Sequence, residues 1–147
     1  RMDGRYYRSY VFLGAGELAE GSVWVGAMSG ANYGLDNLCA LVDRNRLQIS
    51  GSTEDVMKQD SQESRWAAFG WNVISIPGND LVALDDAFGL AAETKGKPTI
   101  IIANTTKGYG SSVMENKAAW NHKLPTADEY AQISADFKAH KEAGLNA

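Results

Sequence analysis

Apolar residues gather in four short continuous stretches: SYVFL at 9–13, LCALVD at 38–43, WNVISI at 71–76 and PTIIIA at 98–103. Continuous rather than alternating runs of this length predict parallel strands covered on both faces. Between them the pattern changes to a helical period. One helix is expected over about 18–33. A second is expected over 80–95, where Leu81, Leu84, Phe88 and Ala91 recur at helical spacing and Gly96 then Pro98 supply a stop. After a long polar connection over 104–125, a last helix opens at Thr126 with Glu129 three residues on, a capping-box pattern, and draws its apolar stripe from Tyr130, Ile133 and Phe137. The order is β-α-β-loop-α-β-α-β, then the terminal helix, with no internal repeat.

Alternating strand and helix predicts an α/β fold: a doubly wound, mostly parallel sheet with helices on both faces, whose ligands sit beyond the carboxyl ends of the strands. That rule selects three loops, 14–20, 44–51 and 104–125. We expect one domain over 1–147. Because Arg1 leads within ten residues into a strand, that domain is expected to be incomplete at its N-terminus.

Composition narrows the classes. Fourteen basic and eighteen acidic residues give a net charge of −4, and no Lys/Arg cluster is present, which argues against a nucleic-acid partner. No apolar run approaches the ~18 residues of a membrane span, and no secretory leader is evident. A single cysteine, Cys39, excludes an intrachain disulfide and a multi-cysteine zinc site, and fits a reducing, cytoplasmic setting. It lies inside an apolar strand and reads as a buried structural thiol. Trp24, Trp66, Phe69 and Trp71 read as packing, and His140 as a favourable charge at a helix C-terminus.

Candidate chemistry starts at the strand-to-helix turn Gly14-Ala15-Gly16-Glu17-Leu18-Ala19, whose backbone N–H groups and helix dipole suit an anion. Read alone it fits the G-x-G-x-x-G/A dinucleotide pattern, with Asp43 ending the next strand where a ribose-binding carboxylate would lie. Against a nicotinamide dinucleotide stand the acidic Glu17 and Glu20. The expected helix carries Ser22, Gly26 and Gly30 four residues apart, each interior glycine costing ~1 kcal/mol relative to alanine. That face is either a tight helix–sheet contact or a subunit interface. Lys107-Gly108-Tyr109-Gly110 is either a loop closing over a ligand or a turn needing glycine geometry.

Five segments together resemble the diphosphate-binding domain of transketolase, above all the N-terminal subunit of its two-chain bacterial form: GAGELAEGSVW (14–24), LDNLCALVDRNRLQISG (35–51), RWAAFGWNVISIPGND (65–80), GKPTIIIANTTKGYGSS (96–112) and W-x-H-x-x-P (120–125). They keep family order from about Asp3 to Phe137. The resemblance implies transfer of a two-carbon ketol unit between sugar phosphates with thiamine diphosphate and Mg²⁺. It implies cofactor contacts at Gly14, Gly16, Glu20 and Asn45, metal ligands at the Asn45 side chain and the Leu47 carbonyl, and an active-site histidine at His122. It further implies a homo- or hetero-oligomer completed by a C-terminal, pyrimidine-binding subunit, so that this chain alone is inactive.

Three positions depart from the family pattern. Ala15 stands where the metal-binding aspartate is expected, Val25 where a glutamate of the acidic cluster is expected, and Asn121-His122 where the family reads His-Gly. The family segment ahead of the first matching strand is expected to be missing. These departures give the alternative of a non-catalytic paralogue or remnant.

Overall fold

A computed structural model describes residues 4–143; Arg1 and Asp3, where the chain and the resemblance begin, lie outside them. Strands β1 (Ser9–Gly14), β2 (Leu38–Asp43), β5 (Asn72–Pro77) and β6 (Thr99–Asn104) form one sheet in the order β1-β2-β6-β5, every neighbouring pair parallel. The apolar runs therefore do become parallel strands, displaced by one residue at β5 and β6 because the first hydrogen-bonded positions follow Trp71 and Pro98. Proline has no N–H to give a ladder.

Helices cover both faces, as double winding requires. On one side α1 (Gly21–Asn32) and α3 (Gln62–Ala68) close over Leu13, Ala40, Val42, Ile100 and Ile102. On the other, α4 (Leu81–Glu93) sets Ala87 and Ala91 against Cys39 and Ile101. Period-two alternation of the β6 isoleucines feeds both cores at once. The four aromatic rings pack as expected: Trp66 lies 5.1 Å from Trp24 and 4.9 Å from Trp71, and Trp24 stacks on Phe69 at 5.4 Å. Trp71 Nε1 donates to the Ala27 carbonyl at 2.8 Å, which ties the ring to α1.

Several expectations are corrected. The helix over 18–33 is two elements: a 3₁₀ turn, Gly16–Ala19, then α1, broken at Glu20, whose ψ of 129° is extended. At Gly30 an added Cβ would sit 3.1 Å from Trp71 Cζ2 and 3.3 Å from Leu38 Cδ2, so this glycine serves helix–sheet packing within the fold. Gly26 is exposed and a Cβ there would meet nothing within 4 Å. The loop after β2 contains a small hairpin of β3 (Leu47–Gln48) and β4 (Gly51–Ser52) and a single helical turn, α2 (Thr53–Val56). Of the apolar stripe on α5 (Ala127–Glu142), only Ile133 is buried, while Tyr130 and Phe137 are exposed.

The sheet has unlike edges. β5 turns Ser75 and Pro77 to solvent, a polar and proline-bearing border. β1 instead exposes Tyr10 and Phe12, 60% and 68% accessible, beside a groove of about 450 Å³ shared with Leu41 and Phe88.

Candidate functional site

β1, β2 and β6 end in register, with Gly14, Asp43 and Ala103 side by side, so their outgoing loops start from one place. Asp43 ties all three together. Its carbonyl accepts from the Ala15 N–H at 3.2 Å, one carboxylate oxygen accepts from Asn45 Nδ2 at 2.9 Å, and the other accepts from the Thr105 hydroxyl. Asn45 Oδ1 accepts in turn from the Leu47 N–H at 2.9 Å, an Asx turn that carries the chain through Arg46 at a positive φ of 63° into β3. At Gly16 an added Cβ would lie 3.3 Å from Gln48 Cβ, so the lack of a side chain there lets the first loop rest against the second.

Beneath this loop Arg44 is buried. Its guanidinium meets Asp60 at 2.5 Å and Glu63 at 3.1 Å, two acids that α3 and its lead-in bring up from 16 and 19 residues away. Partial burial pushes the Glu63 carboxyl up, but the amide at its own helix start, the Ser75 and Ser61 hydroxyls and Arg44 outweigh it and hold the group below its usual range. Asn104 donates to Ser75 at 3.1 Å and Asn79 accepts from the Thr106 N–H at 2.7 Å, fixing the start of the third loop on β5.

The expected site residues fall into two groups. Gly14 and Gly16 lie on the first loop and Asn45 and Leu47 on the second, and the two loops meet at Gly16 and Gln48. Glu17 folds back to accept from the Gly14 N–H at 3.1 Å, while Glu20 is exposed at the start of α1, beside Ser22. The 3₁₀ turn Ala118–Asn121 lies against β3, which brings the third loop to the same end of the sheet. There Asn121 Nδ2 donates back to the Ala118 carbonyl, and His122 is exposed. Gly108 and Gly110 adopt φ of 70° and 85°, and a Cβ on Gly108 would fall 2.6 Å from Met114 Cβ, so the glycines here serve turn geometry. His140 does lie in the last turn of α5, its ring edge-on to Tyr109 at 5.8 Å. Arg44, Thr105 and Asn79 went unread in the sequence because their partners are 16 to 62 residues away and no local spacing marks them.

A hard divalent cation prefers carboxylate oxygens in a near-octahedral set. The available donors are the Asn45 carboxamide oxygen and the Leu47 carbonyl, both neutral, while the turn offers the methyl of Ala15, which is 3% exposed. Both oxygens of the neighbouring Asp43 already accept hydrogen bonds. This donor set does not fit Mg²⁺. Among the described residues, no group of three or more His, Cys, Asp or Glu side chains is placed to hold a metal, and no helix is long and apolar enough to cross a membrane.

A doubly wound parallel domain with its loops gathered at one carboxyl edge belongs to the open α/β class, whose ligands sit at that edge. Within that class the chain belongs to the family described as transketolase, thiamine diphosphate binding domain, which matches residues 5–143. It is 47% identical over 132 residues to one subunit of the apulose-4-phosphate transketolase of Phocaeicola vulgatus, covering 90% of this chain and 47% of that protein. It is 42% identical over 138 residues to the Actinobacillus succinogenes protein of the same name, covering 94% and 50%. The chain thus spans about half the length of the curated relatives it matches. The solved transketolase of Leishmania mexicana superposes with a TM-score of 0.80 at 31% identity, over 90% of this chain and 20% of that one. The match includes the segments after β2 that a dinucleotide reading leaves unaccounted for, and Asp43 is engaged by Asn45 and Thr105 rather than turned out toward a ribose.

Proposed function

We propose that this chain is the diphosphate-binding part of a split transketolase, the cofactor's diphosphate resting on the Gly14 and Gly16 turn and the loop through Asn45 and Leu47. The observation that carries this reading is the convergence of those loops at Asp43, supported by family membership. When bound, thiamine diphosphate supplies the carbanion that accepts and releases a two-carbon ketol unit of a sugar phosphate; the protein's share is to bind and orient it. In this reading Gly16 keeps the turn close to Gln48, Asn45 presents a carboxamide oxygen, and the exposed His122 serves as a proton donor or phosphate contact. The two bacterial relatives are each named as one subunit of a transketolase, which supports a partner subunit for this chain; in this reading that partner is the pyrimidine-binding one. In this reading residues 1–147 belong to a single diphosphate-binding-type domain.

Ala15 favours a second reading, a non-catalytic paralogue or remnant, since the turn lacks the anion a metal–diphosphate site requires; Val25 and Asn121 point the same way. Ala15→Asp separates the two. Titration calorimetry with Mg²⁺ and thiamine diphosphate is expected to give at least tenfold tighter binding for Ala15→Asp than for the parent chain, with ketol transfer undetectable until a cognate C-terminal partner is added. Unchanged affinity would remove the turn from the site and leave the non-catalytic reading in front.

A further inference from the structure

We infer that Asp43 is a positioning residue for Asn45, a carboxylate that holds the Asn45 carboxamide in one orientation and couples it to the third loop through Thr105. As far as it concerns cofactor binding, the inference rests on the function proposed above; the orientation of Asn45 stands on geometry alone.

Asp43 is the last residue of β2, the strand flanked by β1 and β6, so its backbone is fixed by ladders on both sides, Gly14 on one and Ala103 on the other. From that rigid base its two carboxylate oxygens divide their work: one takes the Asn45 amide at 2.9 Å, the other the Thr105 hydroxyl. A carboxamide turned by half a circle about its last torsion presents an N–H₂ where it had an oxygen. Facing Asp43, only the orientation with Nδ2 inward is favourable, because the reverse would set oxygen against carboxylate. Nδ2 is thereby committed to Asp43 and Oδ1 to the side of the Leu47 N–H, where its second lone pair serves a ligand. A carboxylate partner also strengthens each bond beyond a neutral one. Each Asp43 oxygen gives one acceptor site to a donor of its own chain, which ties the carboxylate to Asn45 on one side and Thr105 on the other.

Asparagine at this position preserves the arrangement: its oxygen still accepts from Asn45 Nδ2, and its N–H₂ donates to a Thr105 hydroxyl turned to accept. Alanine preserves nothing. Two measurements test the inference. In the parent chain, nuclear magnetic resonance should find the Asn45 side-chain amide protons exchanging with water at least tenfold more slowly than those of an exposed asparagine. In the Ala15→Asp background, calorimetry with Mg²⁺ and thiamine diphosphate should give at least tenfold weaker binding for Asp43→Ala and a change of less than threefold for Asp43→Asn. Fast exchange of the Asn45 amide, or Asp43→Asn binding as poorly as Asp43→Ala, overturns the inference. Should Asp43→Ala fail to fold, amide exchange in the parent chain and in Asp43→Asn still decides, with protection expected in both. Absence of any cofactor binding in Ala15→Asp itself counts against the proposed function, and the exchange rates alone then judge Asp43.

Discussion

Gln59 and Gln62 are 2% and 1% exposed and bond to each other at 3.0 Å, leaving Gln59 Nε2 and Gln62 Oε1 buried without partners. An unpaired buried polar atom costs about 1–3 kcal/mol, whereas replacing both members of a pair by apolar groups of similar shape is neutral or stabilising. Gln62→Leu is therefore expected to destabilise by about 1 kcal/mol or more, and Gln59→Leu/Gln62→Leu to recover that loss, a coupling readable in urea unfolding of the two singles and the double. Purely additive losses would mean the pair is not isolated from water. Asn45 was legible through the family motif, and Ala15 because it departs from that motif. Asp43 stood out in the sequence only as a candidate ribose acceptor, whereas in the fold both its oxygens accept bonds from within the chain. Its real partners include Thr105, 62 residues on, and only the strand register brings them together.

Elements whose signals are local were read closely. The capping box opening α5 is present in full, the Thr126 side chain accepting from the Glu129 N–H and Glu129 accepting from the Thr126 N–H. The break at Glu20, which separates the turn that buries Leu18 from α1, was not expected from the helical pattern over 18–33. α5 buries little, so charged groups matter to it. Lys123 and the Thr126 amide hold Glu129 below the usual carboxylate range, and the Ser112 hydroxyl, then Gln132, do the same for Asp136. Carboxyls lowered in the folded state stabilise it above their unfolded values, ~4, and that contribution disappears as pH falls through the lowered ones. Amide exchange is expected to show α5 opening at lower acidity than α4 and the sheet as pH drops from 6 toward 2. Equal loss of protection across the molecule would show that α5 does not depend on these two acids.

For the molecule as a whole, the four-stranded parallel sheet followed from four continuous apolar runs, but the strand order β1-β2-β6-β5 did not. That order is set by which face each helix covers, and helix spacing alone carries no such information. The two cores that result are insulated from each other by the sheet, and one of them contains the chain's single thiol. Cys39 is 1% exposed, with Tyr10 beside it in one ladder and Thr99 in the other, and burial raises its pKa even against the opposing field of Arg8. A thiol so placed reacts with an aromatic disulfide reagent only when the α4 side of the sheet opens. The protein thus carries its own clock. Labelling in native buffer should be slow and single-phase, and should accelerate with urea in step with the fall in stability. Complete labelling within seconds in native buffer would mean that α4 leaves the sheet far more often than the rest of the fold unfolds.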